Sequence, residues 1–258
     1  MLFTQTVGDT PPRFVFLHGL FGRGRNWATA ARALAARGLG SLLVDLPDHG
    51  RSDWSERFDY RQYADDVAAT MARADGGPVV LVGHSLGGKV AMLVALRHPG
   101  LVAGLAVVDI APVPSVTING FDTFVAAMRG LDLATLTSRT QADALLAASI
   151  PDASVRGLLG QNLASGPWRW QPNLELLGDS LEAIAGWPPV EGTYDGPVLW
   201  LVGDRSGYTS DADFAAMRAL FPAVARQVVP DAGHWVHADQ PDAVIGALER
   251  FDAQCPTA

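Results

Sequence analysis

The stretch Val79-Val80-Leu81-Val82-Gly83-His84-Ser85-Leu86-Gly87-Gly88 decides how the rest of the chain is read. Four aliphatic residues with the content of a buried strand run into Gly-His-Ser-Leu-Gly. A helix-forming segment, Lys89–His98, follows and is closed by Pro99-Gly100. A G-x-S-x-G between a strand and a helix is a sharp turn that holds its serine in a strained conformation with the hydroxyl exposed. Glycines are needed two positions either side of Ser85, because a Cβ there would strike the neighbouring strand or helix. The same turn aims the backbone N–H of Leu86 at the serine hydroxyl. Ser85 is therefore a candidate nucleophile and Leu86 N–H one half of a candidate oxyanion hole.

Outward from this turn, the chain of 258 residues suits one domain with a sizeable core and room for an insertion. A composition 48% hydrophobic and 18% charged is that of a compact protein. The net charge of −8 argues against nucleic acid and anionic membrane surfaces as partners. The single cysteine, Cys255, excludes an internal disulfide and a cysteine-based zinc site. Met1–Thr10 has no basic segment followed by an apolar run, and no stretch approaches the ~20 apolar residues that span a bilayer. A cytoplasmic location without membrane insertion is expected.

Short apolar runs recur along the chain: Phe14–Leu17, Ser41–Val44, Val79–Val82, Leu105–Val108, Val198–Val202 and Gln227–Val229, with a possible edge strand at Leu2–Thr6. Helical patterns separate them. Asn26 reads as the N-cap of a helix through Trp27, Ala30, Ala31 and Leu34. Tyr63, Val67, Met71 and Ala74 form one helical face, Ser210 and Asp213 are spaced as a capping box, and Pro241 opens a last helix. Continuous apolar strands alternating with single helices predict an α/β fold: a mostly parallel sheet covered on both faces. Residues 1–111 and 191–258 form the expected core domain. Residues 112–190 break the rhythm with helical fragments, prolines and Trp168, Trp170 and Trp187, and read as a helical cap inserted after the strand ending at Asp109, with no strand of its own. Ligands of parallel sheets bind beyond the carboxyl ends of the strands, where His18-Gly19, Asp45, Ser85, Asp109, Asp204 and the loop around His234 all fall.

A serine hydroxyl needs a base, and the base an orienting acid; on an elbow of this kind the chain order is Ser, acid, His. Of six histidines, His98 ends a helix, His18 and His49 lie in early loops, and His84 is turned away from its neighbour Ser85. His234, after the last strand and before the last helix, is the expected base, with His237 its rival.

Phe16–Gly22 (FLHGLFG), Asp45–Ser52 (DLPDHGRS), Gly83–Lys89 (GHSLGGK) and Ala232–Gln240 (AGHWVHADQ) together resemble the α/β-hydrolase superfamily. The first and third are similar to those of a small group of bacterial and mitochondrial-type esterases. The resemblance covers nearly the whole chain outside the cap. It implies an α/β-hydrolase fold and serine-ester chemistry without a cofactor or metal. The acid is where this chain departs from the pattern. Most members carry an aspartate in a Gly-x-x-Asp turn; here the turn reads Gly203-Asp204-Arg205-Ser206, with Ser206 in the acid position. Either Asp204 serves from a shifted loop, or Asp109 supplies the carboxylate, as the esterase group's pattern implies, with Ser206 helping to hold His234. Asp109 is preferred. A second oxyanion donor is expected from Leu20 N–H in the loop after Phe14–Leu17.

Phe21, His84, Trp168, Trp170 and Trp235 are the expected substrate contacts, within an apolar set that includes Phe121, Phe124 and Met128; these aromatics could equally be the cap's own core. The expected reaction is hydrolysis of small, fairly apolar carboxylic esters through an acyl-Ser85 intermediate. The same machinery could act as a thioesterase, lactonase, carbon–carbon bond hydrolase or perhydrolase. A non-catalytic ligand-binding protein on this fold is the alternative of another class. The sequence does not specify the oligomeric state.

Overall fold

A computed structural model describes residues 1–74, 76–115 and 120–256. Residues 116–119 of the expected cap, and 75, 257 and 258 of the expected core, lie outside it. Seven strands form one sheet: β1 (Thr4–Val7), β2 (Pro12–Leu17), β3 (Gly40–Val44), β4 (Val79–His84), β5 (Val102–Val108), β8 (Val198–Gly203) and β9 (Val224–Val229). Their order is β1-β3-β2-β4-β5-β8-β9. Every neighbouring pair is parallel except β1 with β3, which places the antiparallel strand at one edge. The predicted α/β architecture is the observed one.

Alternation along the strands feeds two cores. On one face, Val15, Leu17 and Leu81 pack with Tyr63, Val67 and Val90 from helices α2 (Tyr60–Met71) and α3 (Leu86–Arg97). On the other, Phe14, Phe16, Val80 and Val82 pack with Leu34 of α1 (Ala28–Ala35) and Val244, Leu248 and Phe251 of α11 (Pro241–Asp252). Both faces are thus dry, which is why the strands carry no polar alternation. Asn26 does not cap α1. It sits in a 3-10 turn, Gly24–Trp27, and its side chain accepts from Arg23 N at 2.6 Å, because the chain needs one tight turn before the helix proper.

Between β5 and β8 the chain leaves the sheet. It forms α4 (Phe121–Arg129), α5 (Arg139–Leu146), α6 (Ala153–Gly160), α7 (Leu174–Asp179) and α8 (Leu181–Ala185). The expectation that this segment holds no strand is corrected. Leu163–Ala164 (β6) and Arg169–Trp170 (β7) pair as an antiparallel ribbon, each too short to leave a periodic signal. Beyond Asp204 come α9 (Asp213–Leu220) and α10 (Val236–Asp239). The expected capping box is corrected: Ser210 N donates to Asp213 Oδ2 at 2.7 Å, but α9 starts only at Asp213 with Ala212 as its N-cap, so Ser210 lies before the helix and its hydroxyl caps no helical N–H. No described helix is long and apolar enough to cross a membrane.

Candidate active site

Ser85 links β4 to α3 with φ 52° and ψ −119°, a backbone conformation that a side-chain-bearing residue occupies only under constraint. The constraint is visible in its glycine neighbours. A Cβ on Gly83 would lie 2.2 Å from Gly87 O, and one on Gly87 would lie 2.5 Å from His18 O. The helix start is thereby pressed against β4 and β2. Ser85 N donates to Val108 O at 3.0 Å, which ties the turn to the end of β5.

The next residue on β5's end is Asp109. It is fully buried, has φ 54°, and its N–H donates to Leu201 O on β8 at 2.8 Å. Its carboxylate is filled from three sides. Oδ1 accepts from Gly203 N at 3.0 Å, and Oδ2 accepts from the Ser206 hydroxyl and meets His234 Nδ1 at 2.8 Å. His234 Nε2 in turn lies 3.0 Å from Ser85 Oγ. A carboxylate on Nδ1 fixes that nitrogen as the donor and leaves Nε2 free to accept the serine proton. The arrangement is thus capable of acyl transfer. His234 is held by its ring as well, with Tyr208 stacked on it at 3.6 Å between centroids.

Asp204 has another task. Its Oδ1 accepts from Ala232 N at 3.2 Å and so shapes the loop that carries His234, without reaching the imidazole. Asp45, at the end of β3, accepts from Gly24 N and Arg51 N at 2.7 and 2.9 Å and braces two loops. Asp48 holds Ser55, Tyr63 and Asn173 through its carboxylate. His237, the rival base, is stacked on Trp27 at 4.3 Å.

Neither Leu20 N–H nor Leu86 N–H donates to a protein acceptor among the described residues, and both residues line the cavity at Ser85. The loop carrying Leu20 is fixed by His18, whose Nδ1 donates to Gly19 O at 2.8 Å while Nε2 accepts from Leu46 N at 3.0 Å.

That cavity has about 30 Å³ and is lined by Tyr60, Lys89, Ile110, Phe121, Ile184 and Tyr208 beside Ser85. The five expected substrate contacts do not line it. His84 is 2% exposed, points beneath the elbow, and donates from Nε2 to His234 O at 2.8 Å. Phe21 is fully buried against Phe121 and His49. Trp170 donates its indole N–H to Met128 O, and Trp168 lies near Arg139. Trp235 stands edge-on to His234, with ring centroids 5.7 Å apart. Phe21, His84 and Trp170 are buried, and Trp168 and Trp235 are half-buried against the core; large aromatics gain from such packing, and none of the five reaches the cavity wall.

The buried histidines carry a cost in acid. Desolvation, first among the causes, holds His18 and His84 well below the ordinary imidazole value. Each is neutral in the fold, and protonating His18 would also destroy the acceptor for Leu46 N. The unfolded chain takes up these protons below its own pKa of about 6.5, so stability present above that pH is lost as pH falls. Each of the two is expected to remove about 1.4 kcal/mol per pH unit below about 6. Denaturant melts at pH 7 and pH 5 check this; equal midpoints would refute it.

Comparison with known proteins agrees with this geometry. Residues 12–241 match the family described as alpha/beta hydrolase fold. The chain is 39% identical over 251 residues to a Danio rerio protein named sn-1-specific diacylglycerol lipase ABHD11, covering 95% of this chain and 79% of that one. It is 31% identical to esterase YbfF of Escherichia coli, covering 92% and 91%. Among solved structures, a marine microorganism esterase superposes with a TM-score of 0.92 at 29% identity, over 97% of this chain and 98% of that one. With its sheet order, its strained serine turn and a family match over most of its length, the chain belongs to the α/β-hydrolase family.

Proposed function

We propose that this protein is a serine hydrolase of small, fairly apolar carboxylic esters, acting through an acyl-Ser85 intermediate, with residues 112–190 as its cap. The observation that carries the reading is the unbroken chain Ser85 Oγ, His234, Asp109, at 3.0 and 2.8 Å. Ser85 Oγ attacks the ester carbonyl carbon as His234 Nε2 takes its proton. The carbonyl oxygen gains the negative charge and accepts from the N–H groups of Leu20 and Leu86. Collapse of this tetrahedral species breaks the bond to the alcohol, which leaves with the proton from His234. A water, deprotonated by the same nitrogen, then releases the acid and restores Ser85. Asp109 stabilises the transient imidazolium and takes no proton itself. No step calls on a cofactor or a metal. Ser206 and Gly203 N–H hold Asp109 in alignment with the imidazole.

The small size of the cavity at Ser85, about 30 Å³, supports a short acyl group. A second reading, hydrolysis of acylglycerols, is favoured by the names of relatives 35–39% identical. Stopped-flow assay of p-nitrophenyl acetate, butyrate and octanoate and of a diacylglycerol separates the two. The ester reading expects a p-nitrophenol burst stoichiometric with enzyme and rates falling with chain length. Rates highest on diacylglycerol would favour the second reading. No burst and no turnover on any of them would leave a ligand-binding protein.

A further inference from the structure

Lys89, the last residue of the Gly83–Lys89 motif, has no part in the chemistry above and is an unusual residue to find where it is. It is 1% exposed, on the face of α3 that runs directly behind Ser85. Its ammonium donates to three consecutive backbone carbonyls at the end of α8: Ala185 at 2.6 Å, Gly186 at 2.7 Å and Ile184 at 3.4 Å. No carboxylate meets it among the described residues, and the Tyr60 ring centroid lies 5.9 Å away. An ammonium has three protons and no acceptor, so three carbonyls satisfy it and leave none for a ligand. Burial lowers its pKa to about 8, a measure of what keeping a charge there costs. A methionine of similar length would avoid that cost.

What the lysine holds is the cavity wall. Ile184 and Ala185 line the cavity at Ser85 together with Lys89 and Tyr60. The same carbonyls have two lesser holders: Tyr60 OH donates to Ile184 O at 2.6 Å, and Ser115 N to Ala185 O at 2.8 Å. The nucleophile's own helix thus reaches across the pocket and pins the segment that closes it. We propose that Lys89 is a specificity-determining positioning residue, which fastens residues 184–186 against the nucleophile helix and so confines the acyl pocket to short chains. This rests on the ester-hydrolase reading of Ser85. Longer acyl chains enter only when the three carbonyls leave the ammonium together, so the selectivity of the pocket is set by the strength of that attachment.

Lys89→Met keeps the bulk and removes all three donors; Tyr60→Phe removes one donor from the same segment. Because hydrogen bonds to a charged donor are among the stronger ones, the ratio of kcat/KM for p-nitrophenyl octanoate over acetate is expected to rise about tenfold or more in Lys89→Met. The change should come through a lower KM for the octanoate. Tyr60→Phe should move the ratio the same way by less, and it decides the matter if Lys89→Met does not fold. Amide exchange across residues 181–190 should also quicken in Lys89→Met. A role in folding alone would lower Tm and leave the chain-length ratio where it was. With a normal wild-type burst, an unchanged ratio overturns the assignment of Lys89 and spares the ester reading. Absence of a wild-type burst brings down the ester reading itself; unchanged exchange at 181–190 would then overturn the attachment too, and faster exchange would sustain it.

Discussion

Replacing Ser85 by alanine is expected to lower kcat on p-nitrophenyl acetate on the order of 10⁶-fold and to abolish the burst. The expectation follows from what the hydroxyl does: Oγ is the atom that would carry the acyl group, and it sits 3.0 Å from the base. Without it, His234 has only water to activate. The backbone donors and bound substrate geometry remain, and these leave a residual acceleration of about 10³–10⁴ over water. The fold should survive, because the elbow is shaped by glycines and by the bond from Ser85 N to Val108 O, neither of which needs the hydroxyl. Thermal melting of the variant should therefore match or slightly exceed the wild type, as strained catalytic positions tend to trade stability for function. A variant with activity within about tenfold of wild type would remove Ser85 from the chemistry. Equal inactivity of both proteins would instead point to ligand binding.

The sequence carried the elbow because its chemistry is local. Gly83, Ser85 and Gly87 must be those residues for the turn to close, so five consecutive positions state the geometry. The candidate base was legible for a related reason: His234 follows the last apolar run, and strand ends in a parallel sheet gather at one edge. The candidate acid was legible only as a choice. Asp109 and Asp204 both end strands, and which one faces His234 depends on backbone dihedrals at Asp109 and on the bond from Asp204 to Ala232 N, which no spacing encodes. The cavity wall was legible only in part: Leu20, Leu86 and Phe121 were singled out in the sequence, and the rest of the lining was not. Tyr60, Lys89, Ile184 and Tyr208 come from four separate segments and meet only because the chain between β5 and β8 folds back over the sheet. Their residue types gave no warning, whereas Trp168, Trp170 and Trp235 drew attention and do not line this cavity. An aromatic-rich segment must first bury its own rings, and only what is left over can face a ligand. Tyr208 had one available signal: it lies two residues beyond Ser206, just after the turn that the acid question had already singled out.

Asp109→Asn is expected to lower kcat about 10⁴-fold, with a much smaller change in KM. The substitution preserves shape, and one amide oxygen or nitrogen can still meet Gly203 N–H or Ser206. What changes is the partner of His234 Nδ1. An amide –NH₂ presented to that nitrogen would donate to it and fix the proton on Nε2, where it blocks acceptance from Ser85; a carbonyl oxygen in its place would keep the tautomer but lose the charge that stabilises the imidazolium. Asp204→Asn removes neither, since its remaining oxygen can still accept from Ala232 N, and kcat should stay within a few-fold of wild type. Ser206→Ala lies between the two. It deletes one donor to Asp109 Oδ2 and the acceptor for Tyr208 N, and the loss of a hydrogen bond to a charged group corresponds to roughly 10- to 100-fold. The order of the three rates is therefore the test, read from kcat at a single pH on proteins with matched melting curves. Asp109→Asn is expected to be the slowest by a wide margin, because a buried carboxylate that receives Gly203 N–H and the Ser206 hydroxyl and faces the imidazole is the group whose charge the proposed mechanism would use. If Asp204→Asn proved the slowest while Asp109→Asn kept its activity, the acid would belong to the Gly203–Ser206 turn after all, and the serine at its end would be no replacement for anything.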